Sequence, residues 1–149
     1  MYQSDCPIGF KVSKIEKEFY YDSDKLQKSW DKLQLRETFV VGQPFPYKVE
    51  FDSSEQFGKF KSGELNIHHG PLLSVHGRIT DITETFRGLD YFYGSYVLSF
   101  RVVRPVKLEF FKKENCIEMK LTSYVRPWFK KFWELINNIL WKAFPRTLK

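Results

Sequence analysis

The sequence predicts an α+β protein in which a curved antiparallel β-sheet grips one long C-terminal helix, with one short helix after the first strand. Two observations carry this prediction. Segments with alternating apolar and polar residues, joined by short connections, fill the middle of the chain, and short connections favour an antiparallel meander. Near the C-terminus, the segment from Pro127 to Phe144 changes to the 3.6-residue period of an amphipathic helix rich in Trp and Phe.

The first strand and the first helix follow directly on one another. Phe10–Tyr21 alternates like a strand, with Ile15 and Phe19 on one face. Asp22 or Ser23 can cap a helix that we predict over Asp24–Leu35. This helix places three large apolar residues on one face: Leu26, Trp30 and Leu33. The segment Glu37–Val41 is predicted to form a further strand.

The middle of the chain contains the remaining predicted strands. Their apolar residues alternate through Tyr47–Phe51, Leu65–Ile67, Leu73–Thr80 and Tyr96–Phe110, the last interrupted at Pro105. Lys113–Asn115 forms a hairpin turn. On the return strand, three residues are predicted to face inward: Ile117, Met119 and Leu121. A twisted sheet of this length curls, so we expect the final helix to cover its concave face.

The final helix has an unusually wide apolar arc. One half of its surface is predicted to carry Trp128, Phe129, Phe132, Trp133, Leu135, Ile136, Ile139, Leu140, Ala143 and Phe144. Pro127 suits the first helical position, and Pro145 is expected to end the helix. Trp141 falls in the polar arc instead. A Trp beside Lys142 is typical of contact with an anionic membrane surface or a partner, unless the C-terminal tail covers it.

Composition limits the function classes. The chain has 149 residues, which fits a single domain over 1–149, and its mean hydropathy of −0.42 fits a soluble, cytoplasmic protein. No secretory signal is evident at the start. Cys6 and Cys116 have no metal-binding spacing, so we expect free thiols in a reducing compartment, with one bridge between them as the alternative.

Charge is concentrated in the last third. Residues 101–149 carry 12 Lys and Arg against 4 Asp and Glu, within a net charge of +6 for the whole chain. Such a region can meet phosphate on lipid headgroups or nucleic acid, or it can simply be a solvated surface. The absence of RNA-binding and zinc-finger sequence patterns disfavours nucleic acid. We therefore retain peripheral contact with an anionic membrane as an expectation.

Known catalytic and cofactor motifs are absent from the sequence. There is no G-x-S-x-G nucleophile elbow and no glycine-rich phosphate loop. The histidines His68, His69 and His76 are close in sequence, but adjacent strand residues point to opposite faces, which disfavours one metal site. The sequence thus predicts no catalytic residue, no metal and no cofactor.

The chain resembles the START/Bet v 1-like superfamily, which includes polyketide cyclases and lipid-transfer domains and has the helix-grip fold. Two segments carry the resemblance: Val12–Trp30, a strand running into a capped helix, and Cys116–Phe144, a strand running into an amphipathic helix. Leu26 and Trp30 match the spacing seen in the family. Tyr21-Asp22 replaces the Ala-Pro that family members often have at the junction.

The resemblance implies an apolar cavity between the sheet and the last helix, which takes a hydrophobic small molecule or lipid. We expect polar groups such as Arg78 or Tyr93 to orient the ligand. The walls are predicted to come from Leu98, Phe100, Met119, Leu121, Phe132, Ile136 and Ile139. Alternatively, aromatic side chains plug this space. The alternative function is that of a cyclase- or hydratase-like enzyme. Such an enzyme requires a titratable residue deep in the cavity.

Overall fold

The computed structural model describes residues 6–41, 48–51, 58–70, 73–95 and 102–148. The strands are β1 (Lys11–Tyr20), β2 (Lys48–Phe51), β3 (Leu65–Gly70), β4 (Leu73–Ile82), β5 (Phe86–Ser95), β6 (Val103–Lys112) and β7 (Cys116–Val125). The α-helices are α1 (Ser23–Leu33), α2 (Arg36–Val41) and α3 (Lys130–Leu140), and a 3₁₀ helix spans Trp141–Leu148.

The seven strands form one antiparallel sheet in the order β1-β7-β6-β5-β4-β3-β2. Consecutive strands from β2 to β7 are neighbours, as expected for a meander, and β1 pairs with β7. The predicted hairpin turn at 113–115 joins β6 to β7.

The inner face of the sheet follows the predicted alternation. Ile15 pairs with Leu121 and Phe19 pairs with Ile117, and all four side chains are buried. The same face continues across the sheet through Met119, Phe110, Leu108, Leu89 and Ile79. The apolar face of α1 is buried as predicted, through Leu26, Trp30 and Leu33.

The C-terminal segment lies on this inner face. The Phe144 ring packs on Phe19 at a centroid distance of 5.7 Å and on Phe110 at 5.6 Å. At the other end of the segment, the Ser13 hydroxyl of β1 donates a hydrogen bond to Glu134 of α3 at 2.8 Å. The predicted fold class, a curved antiparallel sheet around a C-terminal helix, is therefore confirmed.

Two predicted elements differ in the structure. The segment expected to form a strand at Glu37–Val41 belongs to helix α2. Tertiary packing overrides its β-branched residues, since the helix places Phe39 in the core against Phe60, with ring centroids 5.9 Å apart.

The second difference lies in the last helix, which is α-helical only to Leu140. Pro145 has no N–H for an α-helical bond, and the tighter 3₁₀ turn extends to Leu148. Residues three apart eclipse in a 3₁₀ helix. Trp141 and Phe144 therefore lie on the same side, with ring centroids 4.9 Å apart.

Candidate functional site

Aromatic rings fill one end of the inner face. Besides its contacts with Phe19 and Phe110, Phe144 packs on Trp141, whose ring also meets Phe110 at 6.2 Å. Leu148, at the end of the 3₁₀ helix, is buried nearby in the same core. At this end the described side chains pack as a plug, the arrangement that the sequence left open as an alternative to a cavity.

The other end of the inner face carries a row of polar residues. Asn66 of β3 pairs with Gly77 of β4, which pairs with Tyr91 of β5. On the far side of the sheet, Ser123 of β7 pairs with Ser13 of β1. Ser123 also pairs with Pro105 of β6. Asp90, the neighbour of Tyr91, pairs with Lys107 of the same strand, so Pro105 lies about one residue from the position that faces Tyr91. Together with His68 of β3, four of these residues form a polar belt: Ser13, Asn66, Tyr91 and Ser123.

Two contacts satisfy part of the polar belt. A hydrogen bond of 3.2 Å joins the Tyr91 hydroxyl and Nδ1 of His68, whose rings meet edge to face. The tautomer of His68 decides which group donates. The Tyr91 side chain is buried and that of His68 is half-buried, so the belt contains two titratable side chains.

Glu134 of α3 forms the second contact, above the Ser13 end of the belt. It accepts hydrogen bonds from Ser13 at 2.8 Å and from the Lys130 ammonium at 3.0 Å. Partial burial raises the pKa of Glu134, but the hydrogen bonds from Lys130 and Ser13 outweigh it, so the pKa lies below its usual value. Glu134 is therefore ionised at neutral pH.

Other polar groups on this face have no partner among the described residues. They are both side-chain amide atoms of Asn66, the Ser123 hydroxyl and the Trp133 indole N–H, and all are buried. Leaving a buried polar group without a partner costs about 1–3 kcal/mol. Nearly all buried polar atoms in folded proteins are hydrogen-bonded. Residues away from this face, such as Gln34, also have buried polar atoms without a described partner, so it is the grouping of Asn66, Ser123 and Trp133 around the belt that makes this end of the inner face a candidate site.

Arg87 lies beside the plug, since its position on β5 pairs with Phe110. Its guanidinium lies over the rings of Phe60, Phe39 and Phe110, at 4.5, 5.6 and 5.8 Å from their centroids. Burial lowers its pKa to about 10, although Tyr91 and Glu64 act in the opposite direction. The side chain remains a cation at neutral pH inside the aromatic core.

The predicted ligand residues on the sheet have different locations. Met119 and Leu121 lie on the inner face and are buried. Arg78 is exposed and lies on β4 next to the inward Gly77 and Ile79. The backbone of Tyr93 pairs with His76, but its side chain is outside the described part of the structure. Leu98 and Phe100 also lie outside the described residues.

The predicted ligand residues on α3 do not share one face. The helix buries Trp133 and Asn137 against the sheet and leaves Ile136 half-buried, whereas Phe132 and Ile139 are 55% and 57% exposed. This corrects the expectation that Phe132 and Ile139 line the space between α3 and the sheet. The arc is too wide for one packed interface, and its outer part forms an exposed row: Trp128, Phe132, Leu135 and Ile139.

Trp141 and Lys142, predicted to form a membrane or partner contact, point in different directions. Lys142 is exposed. The Trp141 ring is half-buried in the plug, and its Nε1–H donates a hydrogen bond to the Asn137 side chain at 3.2 Å. Because the 3₁₀ turn rotates Trp141 towards Phe144, the ring stabilises the interior.

Sequence reasoning missed most of the polar belt. Ser123 shares strand parity with Ile117, Met119 and Leu121, so a Ser at the end of an inward apolar series was an available signal. Asn66 gave no such signal. It lies between Leu65 and Ile67, which hydropathy assigns to the inner face, yet Asn66 is the residue that is 1% exposed.

Two features are absent from the described residues. No group of three or more His, Cys, Asp and Glu side chains is arranged to hold a metal ion. No described helix is long and apolar enough to cross a membrane. Cys6 and Cys116 are both free thiols.

No family model and no curated protein sequence matches the chain. Solved structures do match it. The Mll3558 protein from Rhizobium loti superposes with a TM-score of 0.60 at 12% identity, covering 94% of this chain and 97% of its own. Major latex-like protein 151 from Panax ginseng gives 0.56 at 12% identity, covering 90% and 95%.

A third match is norcoclaurine synthase from Thalictrum flavum, in a complex with dopamine and hydroxybenzaldehyde. It has a TM-score of 0.52 at 15% identity and covers 99% of this chain and 92% of its own. At these identities the likeness establishes the fold. Together with the strand order and the helix on the inner face, it shows that the chain has the Bet v 1-like helix-grip fold.

Proposed function

We propose that this protein binds a hydrophobic small molecule or lipid on the inner face of its sheet, and that the polar belt hydrogen-bonds the polar group of that ligand. The observation that carries the proposal is the Asn66 side chain, which is buried with neither amide atom partnered by a described residue. A ligand group that both donates and accepts hydrogen bonds would recover the cost of this burial.

The surroundings of the belt suit an amphipathic ligand. Met119 and Leu121 provide an apolar floor, and Ile136 lies half-buried on α3 above the sheet. Glu134, on the flank of α3 that contacts β1, lies about 160° from Ile136 around the helix axis. The strand β1 is at the edge of the sheet, and the Glu134 flank of α3 faces it. The opposite flank, where Ile136 lies, is therefore nearer the remaining strands.

The fold supports the same proposal. The related structure of norcoclaurine synthase holds two small aromatic molecules, dopamine and hydroxybenzaldehyde. Their hydroxyl, amine and aldehyde groups are of the kind that Asn66 and the Tyr91–His68 pair would hydrogen-bond. Apolar contacts would supply most of the affinity, and the belt would set the orientation.

The test combines a ligand panel with an Asn66→Leu variant. Native mass spectrometry and fluorescence titration would use oleic acid, cholesterol and 4-hydroxybenzaldehyde. We expect at least one to bind, and Asn66→Leu to weaken that binding by about tenfold while preserving or raising the melting temperature. Asn138→Leu, at an exposed position on α3, is the matched control and should bind normally.

Two results would refute the proposal. One is that no panel member binds and no small molecule co-purifies with the protein. The other is that Asn66→Leu lowers the melting temperature and leaves affinity unchanged, since that is the behaviour of an amide needed only for folding.

The exposed row on α3 favours a second function, contact with an anionic membrane surface. Its four large apolar residues, Trp128, Phe132, Leu135 and Ile139, follow one another along the outer side of the helix. Exposed Lys131 and Lys142 lie beside the row. Apolar side chains flanked by lysines are typical of helices that lie at the headgroup layer.

Vesicle co-sedimentation would test this function. Vesicles of phosphatidylcholine with phosphatidylglycerol should retain the protein, and the double variant Phe132→Ser/Leu135→Ser should reduce binding about tenfold or more. Trp141→Phe, in the plug, is the control and should bind as the parent does. Equal binding by the double variant would contradict membrane contact through this row.

A further inference from the structure

A cavity lies outside the inner face. It is a groove of about 660 Å³ between α1, the end of β1 and the turn joining β6 to β7. This volume is typical of sites for small molecules. Its lining residues are Tyr20, Tyr21, Asp22, Lys25, Lys28, Ser29, Lys32, Asn115 and Leu148.

The groove is positively charged because of how α1 distributes its charges. Lys25, Lys28 and Lys32 lie within about 60° of one another around the helix axis. None of them forms an ion pair with a residue that the structure describes. The helix also carries Asp24 and Asp31, but neither lines the groove, and Asp31 accepts a hydrogen bond from Gln27 at 2.8 Å.

The remaining walls are aromatic and apolar. Tyr20 is 66% exposed, so much of its ring is accessible, while its hydroxyl donates a hydrogen bond to Glu18. Tyr21 is half-buried, and this burial raises the pKa of its phenol. Its hydroxyl has no hydrogen-bond partner among the described residues. Leu148 is buried at the base.

We propose that this groove binds a small phosphorylated aromatic molecule of the nucleotide class. The phosphates meet Lys28 and Lys32, at the end of the groove farther along α1 from the Asp22 carboxylate. The aromatic ring of the ligand stacks on Tyr20. Lysine ammonium groups are common phosphate ligands, and a planar base has the ring face that an exposed Tyr can stack on. This site is separate from the polar belt, so neither proposal depends on the other.

Isothermal titration calorimetry with three probes tests the site: adenosine diphosphate, inorganic pyrophosphate and adenosine. We expect adenosine diphosphate to bind more tightly than pyrophosphate, and adenosine to bind weakest. Raising the salt concentration from about 50 to 500 mM should weaken both phosphate probes, because the attraction between exposed charges is screened.

Variants locate the binding. Lys25→Ala/Lys28→Ala/Lys32→Ala should weaken both phosphate probes by about tenfold or more. Lys11→Ala/Lys14→Ala/Lys131→Ala removes the same net charge from exposed positions elsewhere and should have little effect. Tyr20→Ala should weaken adenosine diphosphate about fivefold or more and leave pyrophosphate unchanged. Thermal unfolding of each variant confirms that it is folded.

Three outcomes would overturn the proposal. They are failure of both phosphate probes to bind at millimolar concentration, equal losses in the two triple variants, and adenosine binding as tightly as adenosine diphosphate. Binding of pyrophosphate that depends on the groove lysines, with no gain from the adenosine ring, would reject the nucleotide class. Oleic acid binding, if observed, should be the same in both triple variants, which separates this site from the polar belt.

Discussion

The Arg87 side chain donates a hydrogen bond from Nη1 to the backbone carbonyl of Leu33 at 3.2 Å, across 54 positions of sequence. Leu33 is the last residue of α1, where carbonyl groups have no partner within the helix. A cation at this end also interacts favourably with the helix dipole. Arg87 on β5 thus caps α1 from inside the core, between three Phe rings.

This geometry predicts that Arg87→Lys, which keeps the buried charge, destabilises the protein more than Arg87→Met, which removes it. Arg87→Lys should lower the free energy of unfolding by about 2–4 kcal/mol, since an ammonium is more strongly hydrated than a guanidinium and cannot stack on the rings. Arg87→Met should cost only about 1–2 kcal/mol, because it removes the buried charge together with the cap. Urea unfolding at pH 7 compares the two. A larger loss for Arg87→Met would contradict this account.

A buried ion pair next to Arg87 gives a second prediction. Arg36 forms a bidentate pair with Glu64, and both side chains are almost fully buried. Glu64→Gln leaves the Arg36 charge buried without its carboxylate and should destabilise the protein by about 3–5 kcal/mol. The double variant Arg36→Met/Glu64→Leu should be destabilised less than this single variant. The pair is not coupled if the destabilisation of the double variant equals the sum of the destabilisations of its two single substitutions.

Glu134 gives a prediction about pH. Its pKa in the folded protein lies below the usual value near 4.3. The stabilisation that Glu134 gives the folded protein is therefore fully present above the usual pKa. It is lost as the pH falls through the lower pKa of the folded state. Glu134→Gln should lower the free energy of unfolding at pH 7 by up to about 1 kcal/mol.

The same substitution should make the decline in stability below about pH 4 shallower. Urea unfolding measured from pH 7 down to pH 3 provides the comparison with the parent. Ser13→Ala removes one of the hydrogen bonds to Glu134 and should show a smaller change of the same sign. Parallel pH profiles for the parent and Glu134→Gln would show that the Lys130 and Ser13 contacts do not stabilise the fold.

The sequence predicted the sheet well because apolar and polar residues alternate along most of β7 and the second half of β6. Residues such as Met119 and Leu121 have polar neighbours on both sides, so parity fixes which face is buried. Leu26 and Trp30 on α1 were equally clear, since one narrow stripe of that helix is apolar.

Prediction was weaker where local pattern and tertiary contacts disagree. Asn66 is turned inward although both of its neighbours are more apolar, and strand pairing with Gly77 decides its face. The wide arc of α3 contains more apolar residues than the sheet can cover, so its sequence did not say which ones remain exposed. The partners of Arg87 and Glu134 depend on contacts between distant segments, which periodicity does not report.

The division of the C-terminal segment into a buried and an exposed face leads to a final prediction. Phe144→Ala should lower the free energy of unfolding by about 3–5 kcal/mol, because the ring is buried against Phe19, Phe110 and Trp141. Phe132→Ala, a matched Phe on the exposed row, should lower it by no more than about 1 kcal/mol, because the ring is 55% exposed and meets Phe129 edge to face at 5.3 Å. Chemical denaturation with fluorescence detection measures both. A large loss for Phe132→Ala would mean that this ring packs against the protein, and the outer row would no longer qualify as a surface for contacting a membrane.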